Sequence, residues 1–407
     1  MSRNSHKPTI SIKKFPGLAT ANEAVGVGYS GLMQAHNVDI TRQQKVRRRK
    51  GATQKVAAGT GTFDSAWGDA EGLIVTQKNK LYTVDSTFTM TLMRSDLIQT
   101  NQLCAFRTSA GLVYSNGLQT GCIVDGVDRA LGVAPPPTPS ATEYSVGQLP
   151  KGAYQVVYTY ARADGFESGA GIAATVNIAQ AHGGLNIAYV ASSNPAVDKI
   201  NIYISRPDGT VLYYAKSVRN ITGNTTYQAH VNFLKRALRT QFKATPPAFT
   251  AIDRTVTNRM LYAKDKLIYL SDAYAPEHIT DGESFLPFAD TVNMIGVVAT
   301  GFFVGTSVAT YFVALTDKLE TAQMIFVAPY GVVPGTRSYM DASVLEGGVV
   351  SGILPVWMSH KGLCVGMPDG TVKNLTHTSV IIPKGVKGTT LFRQEDGQNH
   401  IISVIQK

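Results

Sequence analysis

Six basic residues fall within nine positions of this chain: Arg42, Lys45, Arg47, Arg48, Arg49 and Lys50. Guanidinium and ammonium groups at that density attract phosphate or carboxylate. The stretch suits two roles. One is a solvated, charge-protected strand edge that resists unwanted pairing. The other is a surface facing phosphate or an acidic neighbouring subunit. Charge density favours the second, since a purely decorative strand has no need of such self-repulsion. No aromatic residues interleave, so base stacking is not indicated. Any nucleic-acid contact from this stretch is to phosphate and blind to sequence.

Other candidate chemistry is sparse. Gly26-Val-Gly-Tyr-Ser-Gly31 spells GxGxxG, but no apolar strand precedes it, and the stretch about twenty residues on is Val46-Arg-Arg-Arg rather than an acid for a ribose. The eight histidines are scattered without HxxxH or HExxH spacing, so no metal site is expected. His377 reads as a surface strand residue rather than a base. No GxSxG elbow is present. The acid pairs Asp281–Glu283 and Glu395–Asp396 sit at turn sequences, where acids are ordinary, and do not make a glycosidase pair. Asn220-Ile-Thr and Asn224-Thr-Thr match the glycosylation triplet by chance. The three cysteines, Cys104, Cys122 and Cys364, show no CxxC spacing and read as buried free thiols. The expectation is a protein with no catalytic residues, no metal and no cofactor.

The elements that position these residues are short strands. Leu73–Thr76 with Leu81–Val84, Cys104–Thr108 with Leu112–Tyr114, Arg259–Ala263 with Leu267–Leu270, and Gly301–Thr306 with Thr310–Leu315 read as hairpins. Val356–Ser359, Leu363–Gly366 and Val372–Thr376 form three strands joined by two tight turns, and Thr390–Arg393 with His400–Val404 closes the chain. Two Pro-Asp-Gly-Thr runs, 207–210 and 368–371, read as turns in which Gly supplies positive φ. Val231–Phe242 is the one amphipathic helix candidate. Such meanders recurring every ~40 to 50 residues are the pattern of degenerate propeller blades, with an irregular sandwich as the alternative. Ala134-Pro-Pro-Pro-Thr-Pro139 and Thr245-Pro-Pro247 bracket six or seven alternating strands, the content of an immunoglobulin- or fibronectin-like sandwich. The expected fold is all-β: a propeller-like body carrying an inserted β-sandwich. Its expected parts are a basic arm and hairpin (1–56), the first part of the body (57–134), the insert (135–247) and the second part of the body (248–407).

Composition agrees. Of 407 residues, 44% are hydrophobic and only 16% charged, with 18 Tyr and 15 Phe. The formal charge of +10 is concentrated at one end: residues 1–50 hold ten Lys and Arg against Glu23 and Asp39. No run approaches the ~20 apolar residues that span a bilayer. Met1–Pro8 is polar and basic, without the apolar core of a signal peptide, so synthesis in a reducing cytoplasm is expected.

Four passages resemble the tail nozzle, or tubular hub, proteins of short-tailed bacteriophages (the tail tubular protein B-like family). They are Asn37-Val-Asp-Ile-Thr with Arg47-Arg-Arg-Lys-Gly51; Asn258-Arg-Met-Leu-Tyr-Ala through Ser271-Asp-Ala-Tyr-Ala-Pro-Glu277; Val356-Trp-Met-Ser-His-Lys-Gly through Gly366-Met-Pro-Asp-Gly-Thr-Val-Lys-Asn-Leu-Thr376; and Leu391-Phe-Arg-Gln-Glu-Asp-Gly-Gln-Asn-His-Ile401. The insert matches that family only in type. The resemblance implies a structural virion protein without catalytic residues, forming a ring, a homohexamer, at the distal end of the tail. Its implied partners are the tail adaptor or portal-proximal ring, tail fibres or spikes, and viral DNA passing without sequence specificity. Arg42, Lys45, Arg47, Arg48, Arg49 and Lys50 become candidates for assembly or phosphate contact. The competing expectation is a carbohydrate-binding or receptor-recognition propeller of the virion. Its stacking groove would call on Trp67 or Trp357. A third is a sequence-blind DNA-binding protein with no ring role.

Overall fold

The computed structural model describes residues 38–40, 45–48, 54–56, 62–98, 102–234, 236–315, 321–345, 351–376, 380–395 and 398–406. The chain is all-β, and among these residues there is no α-helix. An N-terminal hairpin pairs β1 (Val38–Ile40) with β2 (Val46–Arg48). The first four-stranded meander holds β3 (Ser65–Gly68), β4 (Leu73–Gln77), β5 (Lys80–Val84) and β6 (Met90–Arg94). The second holds β7 (Cys104–Thr108), β8 (Gly111–Ser115), β9 (Thr120–Val124) and β10 (Val127–Arg129).

The insert follows. β11 (Ser140–Leu149), β14 (Gly183–Tyr189) and β17 (Gly223–Tyr227) make a three-stranded sheet. β12 (Gly152–Arg162), β13 (Ala174–Ile178), β15 (Val197–Ser205) and β16 (Leu212–Arg219) make a four-stranded one in the order β13-β12-β15-β16. The inward faces meet over one core that includes Tyr154, Tyr158, Leu185, Ile187, Ile200 and Ile202, all 1% exposed or less.

The body resumes with β18 (Lys243–Ala244), β19 (Ala251–Arg254), β20 (Met260–Lys264), β21 (Leu267–Asp272), β22 (Ala275–Thr280) and β23 (Phe285–Pro287). A fourth meander comprises β24 (Val292–Val298), β25 (Gly301–Thr306), β26 (Thr310–Ala314) and β27 (Met324–Ala328). A fifth comprises β28 (Ser338–Asp341), β29 (Ile353–Ser359), β30 (Gly362–Gly366) and β31 (Val372–Asn374). The hairpin of β32 (Lys387–Glu395) and β33 (Gln398–Gln406) ends the chain.

The blade arrangement follows from strand pleating. Successive side chains point to opposite faces, and here both faces are apolar. Tyr114 packs with Ile74 and Leu81 of the first blade, while its neighbour Val113 packs with Ile252, Met260 and Tyr262 of the third. Phe302 and Val304 face Leu261 and Ile268, while Phe303 between them faces Trp357 and Cys364 of the fifth blade. Met340, Leu354 and Val365 then meet Phe392 and Ile401 of the closing hairpin. Sheets buried on both faces read as continuous apolar runs, which is why Gly301-Phe-Phe-Val304 lacks alternation. Turns supply the punctuation. Asp125 (φ 50°) and Gly126 (φ 75°) form a two-residue hairpin loop with both residues left-handed.

Two local expectations are corrected. Val231–Phe242 is not a helix. Only Val231–Phe233 makes a 3₁₀ turn, and the chain then runs beside β16 through a Tyr213–Ala237 bridge and a Leu238 N–H to Leu212 carbonyl bond. Phe233 and Phe242, both 68% exposed, do not join the buried face. Tertiary pairing with a free strand edge outcompetes helix propensity here. In the Pro207–Thr210 turn, Asp208 and not Gly209 carries the positive φ (55°); at Pro368–Thr371 it is Gly370 (φ 85°), as expected. Asp tolerates that conformation through its short polar side chain, whose Oδ1 accepts from the Ala153 N–H.

Candidate functional site

The basic cluster sits on and around the N-terminal hairpin. Among the described residues, Lys45 and Arg48 are exposed and Arg47 is half-buried. The register sets Arg47 opposite Asp39 and Arg48 opposite Val38. Arg42, Arg49 and Lys50 lie outside the described residues, as do the Gly26–Gly31 motif, His377 and Asp396. Asp281 and Glu283 are exposed in a turn between β22 and β23.

The inner ends of the body enclose a second location. The strands that open successive blades contribute Trp67, Cys104, Ile252 and Met294, with Gln102 and Arg337 beside them, around a cavity of about 100 Å³. A neighbouring cavity of about 450 Å³ separates Ala66–Gly68 from Thr389–Phe392, where the first blade approaches the closing hairpin. The Gln102 side-chain amide spans this seam by donating to the Gly388 carbonyl at 3.0 Å.

Within the ring, Asp253 is 2% exposed. It accepts from the Tyr339 hydroxyl, from the Val297 N–H at 3.1 Å and from Arg337 Nη1 at 3.4 Å. Arg337 also donates to the Ile252 carbonyl at 3.0 Å and lies over the Tyr339 ring. Burial and the Asp253 charge both push the Tyr339 hydroxyl up, keeping it a donor. Cys104, expected to be buried, is half-buried where it lines the smaller cavity, yet desolvation still pushes its thiol up to about 12, so it is not a poised nucleophile. With every oxygen and guanidinium group committed to its neighbours, this triad fastens blades three, four and five together. It presents no free base to a substrate.

The third location is the joint between insert and body. Arg162, ending β12, donates to Glu277 on β22 through Nη1 at 2.6 Å and Nη2 at 3.0 Å. Asp164 bridges Arg162 (3.0 Å) and Arg129 of β10 (3.2 Å). Burial of Asp164 works against ionisation, but the hydrogen bonds from Arg162 and the Phe166 N–H outweigh it and hold its pKa below the usual carboxylate value.

The fourth is a cavity of about 500 Å³ on the outer face of the insert's four-stranded sheet, bounded by Glu167, Lys199, Asn201, Tyr214, Ser217 and Arg236. Sequence reasoning missed it. The one available signal is a polar residue on alternate positions of strong strands, Thr159 on β12 and Asn201 on β15, where an apolar face was assumed. Neither Trp forms a stacking groove: Trp357 is fully buried and Trp67 is half-buried against the first interblade core. Among the described residues no group of three or more His, Cys, Asp or Glu side chains is placed to hold a metal ion.

No family model and no curated protein matches the chain. Solved structures with some similarity include a streptogramin B lyase, at 10% identity and a TM-score of 0.32, over 84% of this chain and 90% of that one. Another is PorZ, a surface component of the type-IX secretion system of Porphyromonas gingivalis, at 11% identity and 0.21, over 81% and 44%. A third is Kluyveromyces lactis Hsv2, at 8% identity and 0.20, over 86% and 98%.

Proposed function

We propose that this chain is a non-catalytic structural subunit of the distal nozzle, or hub, of a short bacteriophage tail, assembled as a ring through which the genome leaves. The observation behind this is the placement of the resembling passages. Asn258–Glu277 runs along β20, β21 and the start of β22; Val356–Thr376 supplies three strands of the fifth blade; Leu391–Ile401 spans the turn of the closing hairpin. All three belong to the propeller body that the resemblance implies. A ring also needs sticky edges. β27, the outermost strand of the fourth blade, carries Met324, Ile325 and Phe326 at 46%, 49% and 57% exposure. An uncovered apolar edge strand invites pairing with another chain, and a stable subunit contact buries more than ~1,000 Å².

The proposed partners are further copies of the chain, an adaptor or portal-proximal ring, tail fibres or spikes, and DNA in transit. A lumen that grips DNA tightly would hinder ejection, so the basic hairpin is assigned to docking on an acidic adaptor surface. Electron microscopy and native mass measurement of the purified chain test the ring. A strict monomer, together with absence of the chain from purified virions, overturns it. Replacing Arg47, Arg48 and Arg49 with Ser tests the hairpin. Docking predicts impaired attachment with a normally folded subunit, whereas normal assembly with altered ejection kinetics moves the cluster into the channel.

A further inference from the structure

The outer face of the insert's four-stranded sheet is built unlike its inner face. On β12 and β15 the core takes Tyr158, Tyr160, Ile200 and Ile202, leaving Thr159, Asn201 and Tyr203 on the opposite side. These three donate to one atom, Glu167 Oε1, at 2.6, 2.8 and 2.6 Å. Three hydrogen bonds saturate that oxygen and fix the carboxylate in place. The other oxygen, Oε2, has the Arg236 guanidinium at 3.9 Å as its partner among the described residues. A carboxylate with one oxygen anchored and the other turned to a cavity is a preorganised acceptor for a hydroxyl.

The rim has the opposite charge. Lys199 stands two residues from Asn201 on the same face of β15, exposed. Arg236, its side chain 59% exposed, lies over the Tyr214 ring at 4.9 Å and donates to the Tyr203 hydroxyl at 2.9 Å. Arg162 also borders the cavity, but Glu277 and Asp164 consume its charge. Ser217 and Tyr214, joined to Asn201 through a chain of hydroxyl hydrogen bonds, add further partners along the floor.

From this we infer that the cavity binds a sugar acid, a pyranose bearing a carboxylate beside hydroxyl groups. The ligand carboxylate meets Lys199 and Arg236, and a ligand hydroxyl donates to Glu167 Oε2. Each alternative fails on one feature. A simple anion would be repelled at the Glu167 end. A cation would be repelled at the rim. A nucleobase finds no open aromatic face, because Arg236 covers Tyr214. The volume lies within the roughly 300–1,000 Å³ of ligand pockets. The inference is independent of the ring assignment.

The test is saturation-transfer NMR and titration of the full chain with D-glucuronate and D-galacturonate, against D-glucose, D-galactose and inorganic phosphate. At least one sugar acid should bind saturably and about tenfold more tightly than its neutral counterpart, the scale of one hydrogen bond to a charged group. Lys199→Met, at an exposed position, should remove that preference without changing the melting temperature. Glu167→Gln should weaken both classes; a failure of that variant to fold leaves the Lys199 result decisive. Equal binding of acid and neutral sugars, no binding of either acid, phosphate binding as tightly as the acids, or an unchanged preference in Lys199→Met overturns the inference.

Discussion

Arg162→Met should be among the most damaging single changes outside a hydrophobic core. It removes two short hydrogen bonds from Glu277, whose side chain is 7% exposed, and leaves that carboxylate buried. Breaking a buried pair from one side costs about 3–5 kcal/mol. Arg129, 3.7 Å from Glu277 Oε1, can take over part of the compensation, which sets the expectation near the lower end, about 3 kcal/mol. Replacing both partners, Arg162→Met with Glu277→Leu, should recover much of the loss, because a well-packed apolar pair avoids desolvating two charges. Guanidinium unfolding provides the assay. Trp67 and Trp357 both lie in the propeller body, so tryptophan fluorescence reports that part, while tyrosine signals near 275 nm weight the Tyr-rich insert. In the parent chain the two transitions should move together; in Arg162→Met the insert should unfold separately from the body. A loss below ~1 kcal/mol, with the transitions still coincident, would refute the idea that this pair couples the two parts.

His278 should impose a pH dependence on the same joint. Burial pushes its imidazole pKa down, against the raising effect of its hydrogen bond to the Glu167 carbonyl. Stability is therefore complete above the unfolded value of about 6.5 and falls as pH drops through the lowered folded value; His278→Gln should flatten melting temperature against pH in that window, and an unchanged slope would count against the assignment. Trp357→Ala should cost about 3–5 kcal/mol in denaturant titration, and Trp357→Phe distinctly less, since Nε1 has no partner among the described residues. Burial pushes the thiols of Cys122 and Cys364 up to about 11 and Cys104 to about 12, so Ellman's reagent at pH 8 should label none of them before denaturation; rapid native labelling would contradict this. A 135–247 fragment should give a dispersed amide NMR spectrum, because its core draws on a single side chain from outside those bounds, Val133; a collapsed spectrum would show that the insert depends on its neighbours.

The hairpins were legible because they pair β-branched or aromatic runs with turns suited to left-handed backbone, as at Gly370 between β30 and β31. The recurrence of the meanders was legible through spacing alone. What stayed hidden was long-range: nothing near Arg162 in the chain announces Glu277, and nothing near Asp253 announces Tyr339 and Arg337. The failed helix at Val231–Phe242 has the same origin, since its spacing fits a helix until the free edge of β16 is known. The basic cluster was visible as composition. The Glu167 cavity was obscured because strand alternation was read as core against solvent, without a polar face that organises itself.

The two connections of the insert run side by side. A Cβ on Gly132 would stand 2.8 Å from the Thr245 side chain, and one on Gly169 would strike the Lys243 carbonyl. Yet the second and third blades share one core, with Val113 and Cys122 on one side and Ile252, Met260 and Tyr262 on the other. During synthesis the second blade must therefore wait, one apolar face bare, until the whole insert has been made. Closing a loop of that length costs little more than closing one half as long, because loop entropy grows only logarithmically. Once the sandwich has collapsed, its adjacent ends make the long loop behave as a short one. The insert then sets the order of events on the ribosome: its own fold comes first, and the ring of blades closes across it.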